Sequence, residues 1–112
     1  MSTKIGREAE CAVADYLRAR NFTVLEQNWR TRWCEIDIIA TKNNVVYFFE
    51  AKYRCSASWG EGLDYVTGRK LRQMQFAAEF WLSRQHTALD CRLCAIELTG
   101  EPPMVTRVVD CI

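Results

Sequence analysis

The sequence is short of histidine, of long apolar runs, of a leader-like start and of an excess of either charge. Its longest apolar run, residues 45–49, is far below the roughly 20 residues that span a bilayer, so no membrane protein is indicated. The sequence does not open with the charged start and following apolar stretch of a secretory signal peptide. We therefore expect a cytoplasmic protein. The net charge of +1 neither requires nor excludes a nucleic-acid partner.

Six cysteines accompany the single histidine, His86. Without a secretory signal we interpret them as small apolar residues and not as a disulfide framework. Core packing is predicted for those in apolar segments, namely Cys11, Cys34, Cys91, Cys94 and Cys111. A thiol or zinc protein built on the Cys-x-x-Cys pair of Cys91 and Cys94 is an alternative, although no second pair or histidine cluster completes a zinc site.

The length of 112 residues, with 49% hydrophobic and 26% charged residues, is typical of one globular domain, here residues 1–112. Apolar periodicity predicts a helix over 4–20, ending at Asn21, and a second over 67–85, capped by Thr67. Strands are predicted over 22–28, 33–41, 45–53, 91–98 and 104–111.

The third strand is apolar on both faces, which is typical of a strand in the middle of a sheet covered by helices on both sides. The two amphipathic helices can supply these covers. The predicted fold is therefore α/β, a three-layer α/β/α sandwich with a mixed central sheet.

Acidic residues and a lysine occupy the strands that should form the core. Glu50 and Lys52 share a face of one strand, because side chains two apart point the same way. If Asn43 and Asn44 form a two-residue hairpin turn, Asp37 lies opposite Glu50 and Glu35 lies opposite Lys52.

Two carboxylates so close together repel each other unless a cation or a proton lies between them. Magnesium, or manganese in its place, prefers such oxygen ligands, and Lys52 can orient water or compensate negative charge. An ordinary ion pair of Glu50 with Lys52 is the alternative. Glu10 leans toward the buried face of the first helix and is either a further acid of this site or an arginine partner. Glu35 is interpreted as a supporting residue that orients Lys52.

The pattern of Asp37 followed by Glu50-Ala51-Lys52 resembles the PD-(D/E)xK nuclease superfamily, whose core is an α/β/α sandwich of the restriction-endonuclease type. More closely, the chain resembles the YraN-like family of bacterial proteins, considered relatives of Holliday-junction resolvases. The matching stretches cover residues 6–82 well: Gly6 with Ala9-Glu10, Tyr16-Leu17, residues 28–32, 35–40 and 49–54, and Val66-Thr67 with Lys70.

The resemblance implies a metal-dependent endonuclease that acts on branched or structured DNA. Asp37 and Glu50 would bind the metal, Glu10 would stand in the place of the resolvases' helix acid, and Lys52 would be the catalytic lysine. The sequence departs from the family pattern at Cys34, where glycine is usual, at Ala51, where valine is usual, and at Cys94, where aspartate is common. Junction resolution needs two coordinated cuts, so a homodimer is expected with that function.

Basic residues gather near the motif strands and predict a rim that contacts phosphates, with a solvated surface as the alternative. They are Arg30, Arg32, Arg54, Arg69, Lys70 and Arg72. Trp59, in a Ser-Trp-Gly loop, either stacks on a base or anchors its loop. Since no zinc-finger or helix-turn-helix signature offers base readout, a structure-selective enzyme is favoured. A non-catalytic nucleic-acid-binding module on the same fold is the alternative function.

Overall fold

A computed structural model of the chain describes residues 4–54, 68–86 and 89–110. The elements, in chain order, are α1 (Lys4–Ala19), β1 (Thr23–Arg30), β2 (Glu35–Lys42), β3 (Val45–Arg54), α2 (Gly68–Leu82), β4 (Asp90–Thr99) and β5 (Met104–Asp110). This is the predicted order of helices and strands. The proposed cap at Thr67, the loop tryptophan Trp59 and Cys111 lie outside the described residues.

The five strands form one sheet in the order β1-β2-β3-β4-β5. All neighbours are antiparallel except β3 and β4, which are parallel and joined through α2. The sheet is therefore mixed, and β3 is its central strand, as its apolar character on both faces predicted.

The two helices cover opposite faces of this sheet. Helix α1 packs on one face through Val13 and Leu17. Its partners there include the sheet residues Ile38, Phe49 and Ile96. Residues of α2, among them Met74, Ala77, Ala78 and Trp81, pack on the other face against Ile39, Val46, Phe48 and Leu93. The fold is an α/β sandwich of three layers. Within the described ranges, no helix is long and apolar enough to cross a membrane.

The first helix stops where an asparagine can adopt a left-handed conformation. Asn21 has a φ of 71°, and the backbone N–H of Phe22 donates to the carbonyl of Leu17 at 3.0 Å. This arrangement satisfies carbonyl groups that the end of the helix would otherwise leave open. The predicted helix stop at Asn21 is confirmed.

The turn between β2 and β3 sets the register of the sheet. Asn43 and Asn44 have φ values of 53° and 66°, as a two-residue turn whose twist matches its strands requires. Cα partners run from Lys42 with Val45 to Ile38 with Phe49. The predicted register is confirmed over these five pairs, and the next step places Asp37 beside Glu50.

The prediction that the cysteines are core residues is wrong for two of them. Cys94 is buried and Cys34 is half-buried, but Cys11 and Cys91 are exposed. Cys11 lies two residues after the buried Ala9, which turns it about 200° around the helix and away from the sheet. Cys91 lies near the start of β4, before the strand becomes buried at Leu93.

Candidate active site

Asp37 lies where the regular alternation of β2 is interrupted. Ile38 packs against the α1 layer, whereas Ile36, two residues earlier, packs against the α2 layer. On β1 the facing position is Asn28, whose φ of 52° is left-handed. A side chain at such a break need not follow either face, so Asp37 can turn toward the gap between β2 and β3.

The Asp37 carboxylate fills part of that gap. Its Oδ2 accepts a hydrogen bond of 2.8 Å from the backbone N–H of Ala51, the residue after Glu50. A carboxylate oxygen here takes the part that a strand carbonyl takes elsewhere in the ladder. Asp37 is thereby fixed to β3 beside Glu50, as the sequence predicted.

Glu50 extends from β3 on the side covered by α2. The ammonium Nζ of Lys70 lies 3.1 Å from its Oε2, and the Glu50 side chain is only 19% exposed. Burial and then the Asp37 carboxylate raise the pKa of Glu50, while Lys70 opposes both effects. Lys70, predicted to contact phosphate at a rim, thus lies against a candidate metal ligand.

Electrostatic repulsion connects the predicted acids. Burial raises the pKa of Asp37 above its ordinary value, the hydrogen bond from Ala51 opposes this, and Glu35 and Glu10 raise it further. Glu10, on α1, is therefore close enough to Asp37 to influence its ionisation. The ionised forms of Asp37 and Glu50 destabilise each other, which is what a bound cation would relieve.

The donor set suits a hard divalent cation, since Asp37 and Glu50 offer carboxylate oxygens with little solvent around them. Glu10, the third predicted ligand, is half-buried on the opposite side of the sheet from Lys70. Within residues 4–54, 68–86 and 89–110, no group of three acidic, histidine or cysteine side chains is gathered closely enough to hold a metal ion. Two carboxylates are thus in place, and the contribution of Glu10 stays a prediction.

A cleft of about 630 Å³ opens beside Glu50. It lies between the turn that joins β1 to β2 and the first half of α2. Five of the six predicted phosphate-contacting residues line it: Arg30, Arg32, Arg69, Lys70 and Arg72. Glu35, Trp33, Cys34 and Phe76 line it as well. Positive charge is therefore concentrated next to the candidate carboxylates, although the net charge of the chain is nearly zero.

Two of the predicted residues have other surroundings. Arg54 is not among the described residues of the cleft, and its Nε lies 4.0 Å from Oε2 of Glu97 on β4. Oε2 of Glu35 lies 3.3 Å from Nη2 of Arg30 across the β1–β2 ladder. Its role in orienting Lys52 stays a prediction. The ladder turns Glu35 toward its β1 partner because the β2–β3 pairing ends before that point.

Lys52 has a neighbour that the sequence did not reveal. Its Cα partner on the parallel strand β4 is Glu97, whose side chain is 12% exposed. Parallel pairing of β3 with β4 follows from the crossover through α2, and the offset of the two strands could not be read from turn residues. Glu97 is therefore not part of the sequence motif. The one sequence feature that could have drawn attention to it is its position as a single acid within the apolar part of β4.

The Cys-x-x-Cys pair does not form a site. Cys94 is buried in the α1 layer, and Cys91, three residues earlier on the same strand, is exposed. Side chains three apart on a strand point to opposite faces, so these two thiols cannot share a zinc ion. Burial and the neighbouring Asp90 raise the pKa of the Cys91 thiol, which also disfavours a reactive thiolate.

The sequence of the chain matches a known protein family. The profile of the uncharacterised protein family UPF0102 matches residues 9–98, which include every predicted site residue. The chain belongs to the UPF0102 family.

Relatives in the UPF0102 family come from several bacteria. A UPF0102 protein of Chlorobium chlorochromatii is 38% identical over 93 residues, which cover 83% of this chain and 72% of the relative. One from Pseudomonas putida strain KT2440 is 32% identical over 100 residues, covering 88% and 81%. One from Geobacter metallireducens is similar along 93% of this chain and 88% of its own length. These matches extend through both carboxylate strands and the cleft.

Proposed function

We propose that the protein is a metal-dependent endonuclease that hydrolyses DNA phosphodiesters. The observation that supports this most directly is the pair of carboxylates, Asp37 and Glu50, at adjacent positions of neighbouring strands. Both have raised pKa values, and Glu50 opens into an arginine-rich cleft. Destabilised carboxylates beside a surface for phosphates are what metal-assisted phosphodiester chemistry requires.

Asp37 and Glu50 would hold a magnesium or manganese ion, with Glu10 as the third acid that the family resemblance implies. The ion would supply a polarised phosphoryl oxygen and a bound water of lowered pKa. The hydrogen bond from the backbone N–H of Ala51 holds the Asp37 side chain of β2 against β3, which fixes the position of this carboxylate.

The positive residues have separate tasks in this proposal. Arg30, Arg32, Arg69 and Arg72 contact DNA phosphates and align the strand with the carboxylates. Lys52 compensates the negative charge that grows on the phosphoryl group during attack. Lys70 holds Glu50 in place and limits repulsion between the two acids. None of these contacts reads base identity, so selectivity for DNA shape is expected over selectivity for sequence.

The experiment is cleavage of an end-labelled four-way DNA junction, with a linear duplex of the same sequence alongside. We expect cleavage that needs magnesium or manganese, stops with EDTA, and is lost in Asp37→Asn and Glu50→Gln. Arg92→Gln, an exposed arginine of β4, is the matched control and should cleave normally. Absence of metal-dependent cleavage from every structured DNA in the set would contradict the proposal. Sedimentation of the same protein tests the homodimer that two coordinated cuts would need.

A second candidate function is a nucleic-acid-binding module without turnover. The contact between Lys70 and Glu50 favours it, because an internal cation neutralises one acid without a metal. For that function, junction binding should be insensitive to EDTA and to Asp37→Asn. Calorimetric titration with magnesium would then detect no site.

A further inference from the structure

Aromatic rings line the same cleft as the arginines. Trp33 is 64% exposed and Phe76 is 50% exposed, and both belong to its described lining. Single exposed apolar residues are common on protein surfaces. Two large exposed rings in one cleft beside four arginines are a more specific combination, and neither ring is used by the proposed hydrolysis.

The two rings are joined through Phe80 on α2. The ring centroid of Phe80 lies 5.8 Å from that of Trp33 and 6.3 Å from that of Phe76, both in tilted arrangements. The ring centroid of Trp29, on β1, lies 6.1 Å from that of Phe80, also in a tilted arrangement. Phe80 thus supports the outer rings, while Trp33 and Phe76 keep much of their surface open to the cleft.

The turn that carries Trp33 is built by a side chain. The hydroxyl of Thr31 accepts hydrogen bonds from the backbone N–H groups of Trp33, at 3.1 Å, and of Cys34, at 3.2 Å. The N–H of Thr31 also donates to the carbonyl of Cys34, at 2.8 Å. Trp33 therefore lies in an ordered turn, which lowers the entropic cost of ordering this turn when a ligand binds.

Positive charge lies within reach of the rings. The guanidinium of Arg32 is 5.4 Å from the Trp33 ring centre, and Arg69 and Arg72 line the cleft on the side of Phe76. Alternating cations and ring faces complement a strand of alternating phosphates and bases. In a duplex the base faces are already stacked on one another, so an open ring can stack only on an unpaired base.

We infer that the cleft binds a single-stranded DNA segment, with Trp33 and Phe76 stacked on unpaired bases and the arginines on the flanking phosphates. The inference rests on the proposed function for DNA as the ligand. It narrows the substrate class to DNA with unpaired nucleotides next to the site, such as a flap, a gap or an opened branch point.

The test compares two labelled twelve-nucleotide strands, one of thymidines and one abasic at every position, in EDTA at low salt. Both strands carry the same phosphates, and only one carries bases. We expect the wild type to bind the thymidine strand about tenfold or more tightly, in keeping with the usual contribution of base stacking on aromatic side chains. Trp33→Ala and Phe76→Ala should each remove a substantial part of this difference and leave abasic binding unchanged.

Met104→Ala is the matched control, since Met104 is 67% exposed but lies on β5, away from the cleft. It should bind both strands as the wild type does, and Trp33→Phe should retain most of the preference for bases. Equal binding of the two strands by the wild type would overturn the inference. So would a Trp33→Ala variant that weakens both strands equally.

Sedimentation of the same variants separates DNA binding from self-association. If Trp33→Ala converts a dimer to a monomer and leaves thymidine binding unchanged, the rings are a surface for a second copy and the inference fails. The outcome is also independent of catalysis. Base-dependent binding without metal-dependent cleavage would refute the proposed hydrolysis alone, whereas cleavage with base-independent binding would refute the stacking alone.

Discussion

The carboxylate of Asp37 accepts a hydrogen bond of 2.8 Å from the backbone N–H of Ala51, at the point where the regular pairing of β2 with β3 ends. A candidate metal ligand is thus also the hydrogen-bond partner of the strand that carries the second ligand. The two tasks of Asp37 depend on different properties, since the bond needs an acceptor oxygen and the metal needs a negative charge. Substitutions can separate them.

Asp37→Asn keeps an acceptor oxygen and removes one of two repelling charges, so its free energy of unfolding should equal or slightly exceed that of the wild type. Asp37→Ala leaves the Ala51 N–H without this acceptor, which costs about 1–3 kcal/mol at a half-buried position. Both variants should lose metal-dependent cleavage. Urea denaturation measures the difference, and equal destabilisation of the two variants would show that the charge of Asp37 is structural.

The raised pKa values of Asp37 and Glu50 predict how stability depends on pH. Between their ordinary pKa values, 3.8 and 4.5, and the raised values of the folded protein, the folded state binds more protons than the unfolded state. The contribution of these two groups to stability is therefore greatest below that window and decreases as the pH rises through it.

Thermal melts over a pH series should show this loss in the wild type and a flatter profile in Asp37→Asn with Glu50→Gln. Magnesium should restore stability only above the window, where both carboxylates are ionised and can bind it. A double variant with the same pH profile as the wild type would contradict the assignment of these two groups.

The hairpin that carries the site was predictable because its determinants are local. Asn43 and Asn44 favour a left-handed two-residue turn, and a period of two then places Asp37 beside Glu50. The three-layer arrangement followed from β3 alone, whose apolar residues on both faces require two covers. The family resemblance added the expected roles of the acids and of Lys52.

Other features of the site depend on tertiary contacts that no local pattern encodes. Lys70 looked like one of several rim cations, and only the docking of α2 places it 3.1 Å from Glu50. Trp59 was the tryptophan singled out for stacking, whereas Trp33 and Phe76 come together from a turn and a helix 43 residues apart in the chain. Glu35 was assigned to Lys52 by extending a hairpin ladder that ends earlier.

The arginines of the cleft can be tested by the salt dependence of DNA binding. A triple variant in which glutamine replaces Arg30, Arg69 and Arg72 should bind a DNA junction more weakly. The slope of the logarithm of its binding constant against the logarithm of the salt concentration should become shallower by about one unit for each lost phosphate contact. Arg18, Arg92 and Arg107, outside the described lining of the cleft, form a control triple of the same charge change. Equal slopes for the two triple variants would mean that the cleft arginines do not contact phosphates and form an ordinary solvated surface.

Lys70 and Lys52 can be separated by substitution. Lys70→Met removes the cation 3.1 Å from Glu50 and leaves two repelling acids, so stability at neutral pH should decrease by about 1 kcal/mol or more. Magnesium should restore much of that loss, because a divalent ion bound only by the folded state replaces the missing charge. Lys52→Met, beside Glu97 on β4, should instead retain magnesium binding and lose cleavage by about 100-fold or more, as when charge compensation in a transition state is removed.

Melts with and without magnesium, calorimetric titration and junction cleavage are to be measured on both variants, with Lys4→Met, an exposed lysine of α1, as control. The combination matters more than any single value. Loss of cleavage in Lys70→Met with normal activity in Lys52→Met would mean that α2 supplies the catalytic cation, contrary to the role the Glu-x-Lys pattern implies. If magnesium stabilises neither variant nor the wild type, Asp37 and Glu50 hold no metal, and the raised pKa values reflect burial in a binding module.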